Sequence, residues 1–209
     1  MIDLRPWLPR QPEYDPTPSR APKTGYTVHY EGGDVSREMS DAEAQLLILS
    51  NAIFHINKDW NEEVEGAQHG GGIMYAIVIA PSGTVYQTRD LDEILWHSGS
   101  FLGNQDTTPV MVLAGPNTPP TKAQYRSLRE VLMHQIAYPH SYWSATQCPG
   151  DAIRYWMEYG DEEDDMEYVS RQEFEEYKQA LEKQLKEQYV TKEGHAKHDH
   201  KTYPPTPQI

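Results

Sequence analysis

The stretch GGGIMYAIVIAPSGTVYQTR, residues 70–89, constrains the fold more than any other part of the sequence. Its first half is almost entirely apolar, and a Pro-Ser-Gly turn at 81–83 separates it from a second β-branched and aromatic run. Two such runs around a short turn predict two adjacent strands. Because the first strand is apolar on both faces, it needs cover on both, which predicts a position in the middle of a sheet with helices on either side.

Two further segments predict strands of the same sheet. The sequence GYTVHYEG, residues 25–32, is rich in β-branched and aromatic residues and ends at a Gly-Gly pair. The sequence PVMVLAGP, residues 109–116, is an apolar run of strand length. Both patterns are typical of β-strands, whereas residues 91–108 have the composition of a loop.

Three segments predict helices. Ser40 and Glu43 form a capping-box pattern at the start of SDAEAQLLILSNAIFHINKDW. The face expected to be buried carries apolar residues at helical spacing, namely Leu46, Leu49, Ile53 and Ile56. Thr121 is the expected N-cap of a helix over 121–138, and a short helix follows at 151–159. The order of these elements predicts an α/β domain with a central mixed β-sheet flanked by helices.

Composition divides the chain into three regions. Residues 1–24 are rich in proline and lack a periodic pattern, which predicts an extended arm with Trp7 as its anchor. Residues 25–160 hold the predicted α/β domain. Residues 161–209 contain an amphipathic, strongly acidic segment with Ser170 as the expected helix cap, and the sequence after it is typical of a disordered tail.

The formal net charge of −14 argues against whole classes of partner. Binding to nucleic acid without sequence preference needs a surplus of Lys and Arg, and so does adsorption to an anionic membrane surface. The longest apolar runs are too short to cross a bilayer, and the first residues lack the apolar core of a secretory signal. A single cysteine cannot form an internal disulfide. We therefore expect a protein made in the cytosol, with no nucleic-acid binding and no membrane insertion.

Three residues could form a metal site. His29 lies near the end of a predicted strand, while His140 and the single cysteine, Cys148, lie in a loop between two predicted helices. Imidazole nitrogen and thiolate sulfur are zinc ligands, and a catalytic zinc site uses three protein ligands with one position left open. The residues alone also allow an interpretation without metal. In it, His29 is a half-buried strand histidine and Cys148 is a structural cysteine that caps a turn.

Other histidines offer less specific patterns. His97 lies beside Trp96 in the sequence WHSG, either as a substrate contact at the rim of a cleft or as an exposed loop residue. His55 and His134 fall inside predicted helices, where surface or half-buried positions are expected.

Four sequence segments together resemble a known family. The segments YTVHY, GIMYAIVIAPSGTVYQTRD, WHSG…GNQDTTPVMVLAGP and HSYWSATQCPGD occur in the order found in zinc-dependent N-acetylmuramoyl-L-alanine amidases of the bacteriophage lysozyme type. These amidases share a fold with the peptidoglycan recognition proteins. The resemblance covers roughly residues 24–158. It implies that His29, His140 and Cys148 hold one zinc ion per chain.

The resemblance also implies roles for the residues around the metal. Tyr75 stands where the family has a catalytic tyrosine that helps to activate the zinc-bound water or to stabilise the tetrahedral intermediate. Thr146 stands where the family has a catalytic lysine or threonine. Trp96 and His97 match the family's loop that contributes to the substrate groove. Asn104, a further candidate for substrate binding, matches an asparagine common after that loop, and its role is left open. Two departures are Ala76, where histidine or asparagine is common, and Glu31, which could be an acid or base near the metal or a solvated loop carboxylate.

The implied function is hydrolysis of the amide between N-acetylmuramic acid and L-alanine in peptidoglycan. The sequence favours a phage endolysin that is made in the host cytoplasm and reaches the cell wall after holin-mediated release. A non-catalytic peptidoglycan-binding module and a structural phage protein on the same fold are the alternatives. In the latter, the helix expected over residues 170–190 would drive oligomerisation.

Overall fold

A mixed β-sheet forms the centre of the described domain, as the sequence predicts, and it has six strands where the sequence analysis identifies four. The computed structural model describes residues 1–11, 20–58, 71–133 and 135–160. The strands are β1 (Ile2–Asp3), β2 (Gly25–Tyr30), β3 (Ile77–Ile79), β4 (Val85–Gln87), β5 (Thr107–Val112) and β6 (Ile136–Pro139). They lie in the order β1-β4-β3-β5-β2-β6. Only β3 and β4 pair in antiparallel fashion, and the other neighbours are parallel.

Helices cover both faces of this sheet. They are α1 (Asp41–Asn57), α2 (Phe101–Asp106), α3 (Lys122–Leu132) and α4 (Asp151–Tyr159). The core on one face combines α1 residues with Val78 and Met111. The core on the other face combines residues of α3 and α4 with Val110 and Ile79. Successive strand residues therefore point to opposite faces, and the central strands are apolar on both because helices cover both.

Helix α1 begins where the sequence predicts but turns a different face to the core. Ser40 accepts a hydrogen bond from the Glu43 backbone, and the Glu43 side chain accepts one from the Ser40 backbone, so the capping box is present. However, Leu46 is 65% exposed and Ile53 is 46% exposed. The buried face consists of Ala44, Ile48, Ala52, His55 and Ile56. The prediction of Ile56 as a core residue is confirmed, and that of a surface or half-buried His55 is wrong.

The predicted helix over 121–138 is too long. Thr121 caps it through a capping box with Gln124, but it ends at Leu132, and Met133 adopts a left-handed conformation with φ 40°. The chain then reverses into β6, which the sequence analysis does not predict. The loop expected over 91–108 likewise contains the short helix α2.

The amino-terminal residues contribute to the sheet. Strand β1 pairs in parallel with β4, and Leu4 is buried in the core on the α1 face. Trp7 is 80% exposed, so the prediction that it anchors the arm is wrong, and Leu4 takes that place. One compact unit spans Met1–Asp161.

The acidic helix predicted over 170–190, the tail after it and His134 lie outside the described residues. Among the helices that are described, none combines the length and the apolar character that a membrane span requires.

Candidate metal centre

The parallel pairing of β2 with β6 brings the two candidate histidine ligands to one edge of the sheet. Val28 of β2 is the register partner of Pro139, the last residue of β6. A histidine follows each of these two residues: His29 lies within β2, and His140 comes directly after the end of β6. Their rings lie 4.4 Å apart between centroids.

The loop that returns from β6 to α4 brings Cys148 to the same edge. Ser141 donates a backbone hydrogen bond to the carbonyl oxygen of Cys148 at 3.0 Å, which closes the loop on itself. The backbone N–H of Tyr30 donates to the Cys148 sulfur at 3.4 Å. Gly150, with φ 84°, then turns the chain into α4, a conformation that glycine adopts without strain.

The three side chains form a cluster of metal-binding geometry. The ligand atoms of His29, His140 and Cys148 all lie within 4.8 Å of one another. The Cys148 sulfur lies 3.7 Å from His29 Nδ1. In a tetrahedral zinc site, ordinary Zn–N and Zn–S bond lengths place such a pair of ligand atoms about 3.6 Å apart. The donor set therefore fits a zinc ion, and the spacing of Cys148 and His29 matches that of two ligands of one ion.

The electrostatics of the cluster also suit a cation. Burial lowers the pKa of His29 well below its ordinary value, and the nearby His97 and His140 add to this effect. Burial likewise lowers the pKa of His140. Both rings are therefore neutral at pH 7, the state in which imidazole binds a metal. Burial raises the pKa of Cys148 to about 12. The thiol therefore ionises at neutral pH only when a positive charge, such as a metal ion, lies beside it.

Tyr75 and Thr146 both lie beside the cluster. The Tyr75 ring meets the His29 ring edge-on, with 5.1 Å between centroids, and it also contacts the ring of His55 of α1, at 5.7 Å between centroids. The Thr146 hydroxyl accepts a hydrogen bond from the Cys148 backbone at 3.2 Å.

The loop residues predicted to contact substrate occupy different environments. Trp96 is 46% exposed and lies at the surface. His97 is only 7% exposed and hydrogen-bonds to His29, which corrects the expectation of a rim position. The Asn104 side-chain oxygen points inward and accepts hydrogen bonds from the backbone of His97 and from Ser98. His97 therefore contacts His29 through the nitrogen that faces away from Cys148. Asn104, which lies in α2, holds the backbone of His97 in place.

The sequence analysis missed a partner of the second histidine. Ser144 lies 3.1 Å, through its hydroxyl, from His140 Nε2. A serine four residues after a histidine is within reach when the chain between them turns tightly, as the short 3₁₀ helix His140–Tyr142 does here. Glu31 accepts a hydrogen bond from Gly33, as a loop carboxylate does.

Comparisons with solved structures show what this fold resembles. The Drosophila peptidoglycan recognition protein SD matches with 15% sequence identity and a TM-score of 0.61, over 75% of this chain and 92% of that chain. Peptidoglycan recognition protein LE, in complex with tracheal cytotoxin, matches with 17% identity and a TM-score of 0.60, over 77% and 94%. The wild-type Drosophila protein LB matches with 15% identity and a TM-score of 0.58, over 79% and 98%. At these identities the likeness shows a shared fold.

The sequence itself matches one family. A comparison with curated proteins found no match. The family profile described as N-acetylmuramoyl-L-alanine amidase matches residues 20–151. Because this range covers more than half of the chain and includes His29, His140 and Cys148, the chain belongs to the N-acetylmuramoyl-L-alanine amidase family.

Proposed function

We propose that this protein is a zinc-dependent hydrolase that cleaves the amide between N-acetylmuramic acid and L-alanine in peptidoglycan. The observation that carries the proposal is the convergence of His29, His140 and Cys148 within 4.8 Å. Three protein ligands with one position left open are typical of catalytic zinc sites, whereas structural zinc sites have four protein ligands. Among the described residues, the cluster has three members.

The metal ion and the protein would divide the chemistry between them. When bound, zinc supplies Lewis acidity, which polarises a carbonyl group and lowers the pKa of water towards ~7. The protein holds the two imidazoles neutral and the thiol in reach, so that the ion keeps a net positive charge beside the substrate amide.

Tyr75 is suited to donate a hydrogen bond to the reacting carbonyl oxygen. Burial raises the pKa of its phenol above the ordinary value, and the nearby Cys148 and Glu31 raise it further. The phenol therefore keeps its proton at neutral pH and acts as a donor. A donor that is fixed before the reaction stabilises the negative charge that develops on the oxygen of the amide.

Thr146 is suited to a similar role on the side of Cys148. Its hydroxyl oxygen already accepts a hydrogen bond from the Cys148 backbone, which fixes the oxygen while its own proton is able to point towards substrate. Threonine is uncharged, so it can donate to the developing oxyanion but cannot neutralise it. Trp96, at the surface nearby, is the residue we propose as a contact with the substrate at the rim.

The test is mass spectrometry of sacculi digested by the zinc-loaded protein in ¹⁸O-labelled water. We expect released peptides with a free amino-terminal L-alanine, and ¹⁸O in the carboxyl group of the muramic acid product. A chelator should stop the release, and added zinc should restore it. Products cut at a glycosidic bond or within the peptide would contradict the proposal, as would undiminished activity in zinc-free protein.

Peptidoglycan binding without hydrolysis is the second candidate. It is favoured by the shared fold with recognition proteins, one of which is described in complex with tracheal cytotoxin. Under this alternative, the protein would sediment with sacculi but release no peptide, with or without zinc. We favour hydrolysis because Cys148 is present in the cluster. Burial raises the pKa of its thiol to about 12, so the thiolate forms at neutral pH only beside a cation, and a bound metal ion is what the hydrolysis needs.

We also propose that the protein acts as a phage endolysin, made in the host cytoplasm and released to the wall through a holin. Cytoplasmic expression should leave cells intact until the membrane is permeabilised, and the culture should then clear rapidly. Clearing without permeabilisation, or none after it, would contradict this part. Oligomerisation through residues 170–190 stays a prediction, which light scattering of the full chain and of a chain truncated near residue 160 can test.

A further inference from the structure

We propose that His97 is a positioning residue: it accepts a hydrogen bond from His29 and thereby keeps the metal-facing nitrogen of His29 free of its proton. The inference rests on the metal site of the proposed function. It concerns how the chain prepares that site rather than which bond the protein cleaves.

The two rings meet through one short contact. His29 Nε2 lies 3.0 Å from His97 Nδ1, and the rings are nearly perpendicular, with an interplanar angle of 85°. The other nitrogen of His29, Nδ1, faces the Cys148 sulfur. Because both histidines are buried, water does not compete for the nitrogens in this contact.

The contact couples the proton positions of the two rings. A neutral imidazole carries one proton, and a nitrogen that binds a metal ion carries none. When His29 Nδ1 faces the metal, the His29 proton must be on Nε2, and His97 Nδ1 must accept it. In the reverse arrangement, His97 donates from Nδ1 and the His29 proton moves to Nδ1, where it blocks the metal.

The surroundings of His97 hold its ring in the position that this contact requires. Asn104 fixes the backbone on both sides of the ring through its side-chain oxygen, which accepts from the N–H groups of His97 and Ser98 at 3.0 and 2.9 Å. This directs Nδ1 of His97 at His29 Nε2. A neutral His97 ring that accepts there carries its single proton on Nε2. The loop therefore presents Nδ1 of His97 as the acceptor.

In this arrangement, Asn104 and the WHSG loop fix the tautomer and orientation of His29 through His97. Partners behind a metal-binding histidine fix its tautomer and orientation, and their loss typically reduces metal affinity by about 10–100-fold. Such partners are usually carboxylates, carbonyls or water. Here the acceptor is a second histidine, whose own proton must be placed correctly.

Substitutions at His97 test the acceptor directly through zinc affinity, measured by competition with a chromophoric chelator. We expect His97→Leu to bind zinc about 10–100-fold more weakly than wild type. His97→Asn should retain most of the affinity, because asparagine offers an oxygen near the place of Nδ1. His55→Leu is the matched control: it removes another buried histidine beside Tyr75 and should leave zinc affinity unchanged. Equal losses in His97→Leu and His55→Leu, or wild-type affinity in His97→Leu, would overturn the proposal.

A second measurement needs no variant. Long-range ¹H–¹⁵N correlation spectra of the zinc-loaded wild-type protein report which ring nitrogen carries each histidine proton. We expect protons on Nε2 of both His29 and His97, and a proton on His97 Nδ1 would overturn the proposal. Neither measurement uses peptidoglycan. Protein that shows these tautomers but releases no peptide would contradict the hydrolase proposal alone, whereas wild-type protein that binds no zinc would contradict both.

Discussion

Two buried polar clusters in this domain are built on opposite principles. In one, Arg89 and Glu93 form an ion pair in which both side chains are almost fully buried, and Arg10 of the amino-terminal segment adds a second contact to Glu93 at 2.8 Å. In the other, His29 and Cys148 are buried as neutral groups beside His140.

The difference lies in where the compensating charge comes from. The Arg89–Glu93 cluster supplies both signs of charge itself, so its task is to hold the chain together. The histidine–cysteine cluster gains its full set of interactions only when a cation neutralises the thiolate. A buried polar cluster that is complete within the protein indicates a structural role, and one that requires an outside charge indicates a ligand site.

Cys148→Ser should have the largest effect. A serine hydroxyl does not ionise as the thiol does, so we expect zinc to be lost and peptide release to fall by about 10³-fold or more. The change removes no ion pair and little volume, so the thermal midpoint of the zinc-free protein should stay close to that of zinc-free wild type. Activity assays and metal analysis on the same preparation check this. Lytic activity in the zinc-free variant would contradict the comparison.

Glu93→Gln should show the reverse pattern. It leaves Arg89 buried without its carboxylate, and breaking a buried pair in this way typically costs about 3–5 kcal/mol of unfolding free energy. Zinc affinity should be unchanged, because the ion pair is not part of the metal cluster. Denaturant unfolding and chelator competition measure the two quantities. A loss below about 1 kcal/mol would mean that the pair is no more important than an exposed one.

Local sequence signals predicted most of the fold. The capping residues Ser40 and Thr121 mark the starts of α1 and α3, because a cap depends on residues only three positions away. The apolar runs of β3 and β5 identify the central strands. Strand β6 was missed because helix α3 ends at a left-handed Met133, a position where glycine would have been the usual signal. The buried face of α1 was misassigned because Leu46 is outside and His55 inside.

The candidate site could be predicted only in part. The resemblance named His29, His140 and Cys148, while the residues alone left them open, since the pairing of β2 with β6 that aligns the two histidines is a long-range contact. The sequence analysis expected His97 at the rim of a cleft or exposed in a loop, but the structure buries it. No local pattern shows that Asn104 folds that loop inward.

His55→Leu should separate a buried histidine from the metal centre through its pH dependence. Burial, helped by the charge of Lys58, lowers the pKa of His55 from 6.5 to about 4. Between these values the unfolded chain binds the proton and the folded protein does not, so stability is full above pH 6.5 and falls as the pH drops towards 4. The part of the unfolding free energy lost through His55 over this pH range is on the order of 3 kcal/mol.

In the His55→Leu variant, the unfolding free energy should fall less steeply between pH 6.5 and 4, because the contribution of His55 is missing. Denaturant unfolding of zinc-free protein at several pH values measures this. A residual slope is expected, because the pKa values of His29 and His97 are lowered in the same direction. An unchanged slope would mean that His55 is protonated as readily in the folded protein as in the unfolded chain.

Arg20→Gln should have the smallest effect and shows why burial, rather than charge, separates the two clusters. Arg20 pairs with Asp90 and Asp92, the same chemistry as Arg89–Glu93, but its side chain is 47% exposed. Solvent and salt screen such pairs, so we expect a small loss of stability that disappears in 1 M salt. The loss in Glu93→Gln should persist there, because salt ions do not reach a buried pair. Equal salt dependence in the two variants would show that the Arg89–Glu93 pair is solvated, and the contrast with the metal centre would then lose its basis.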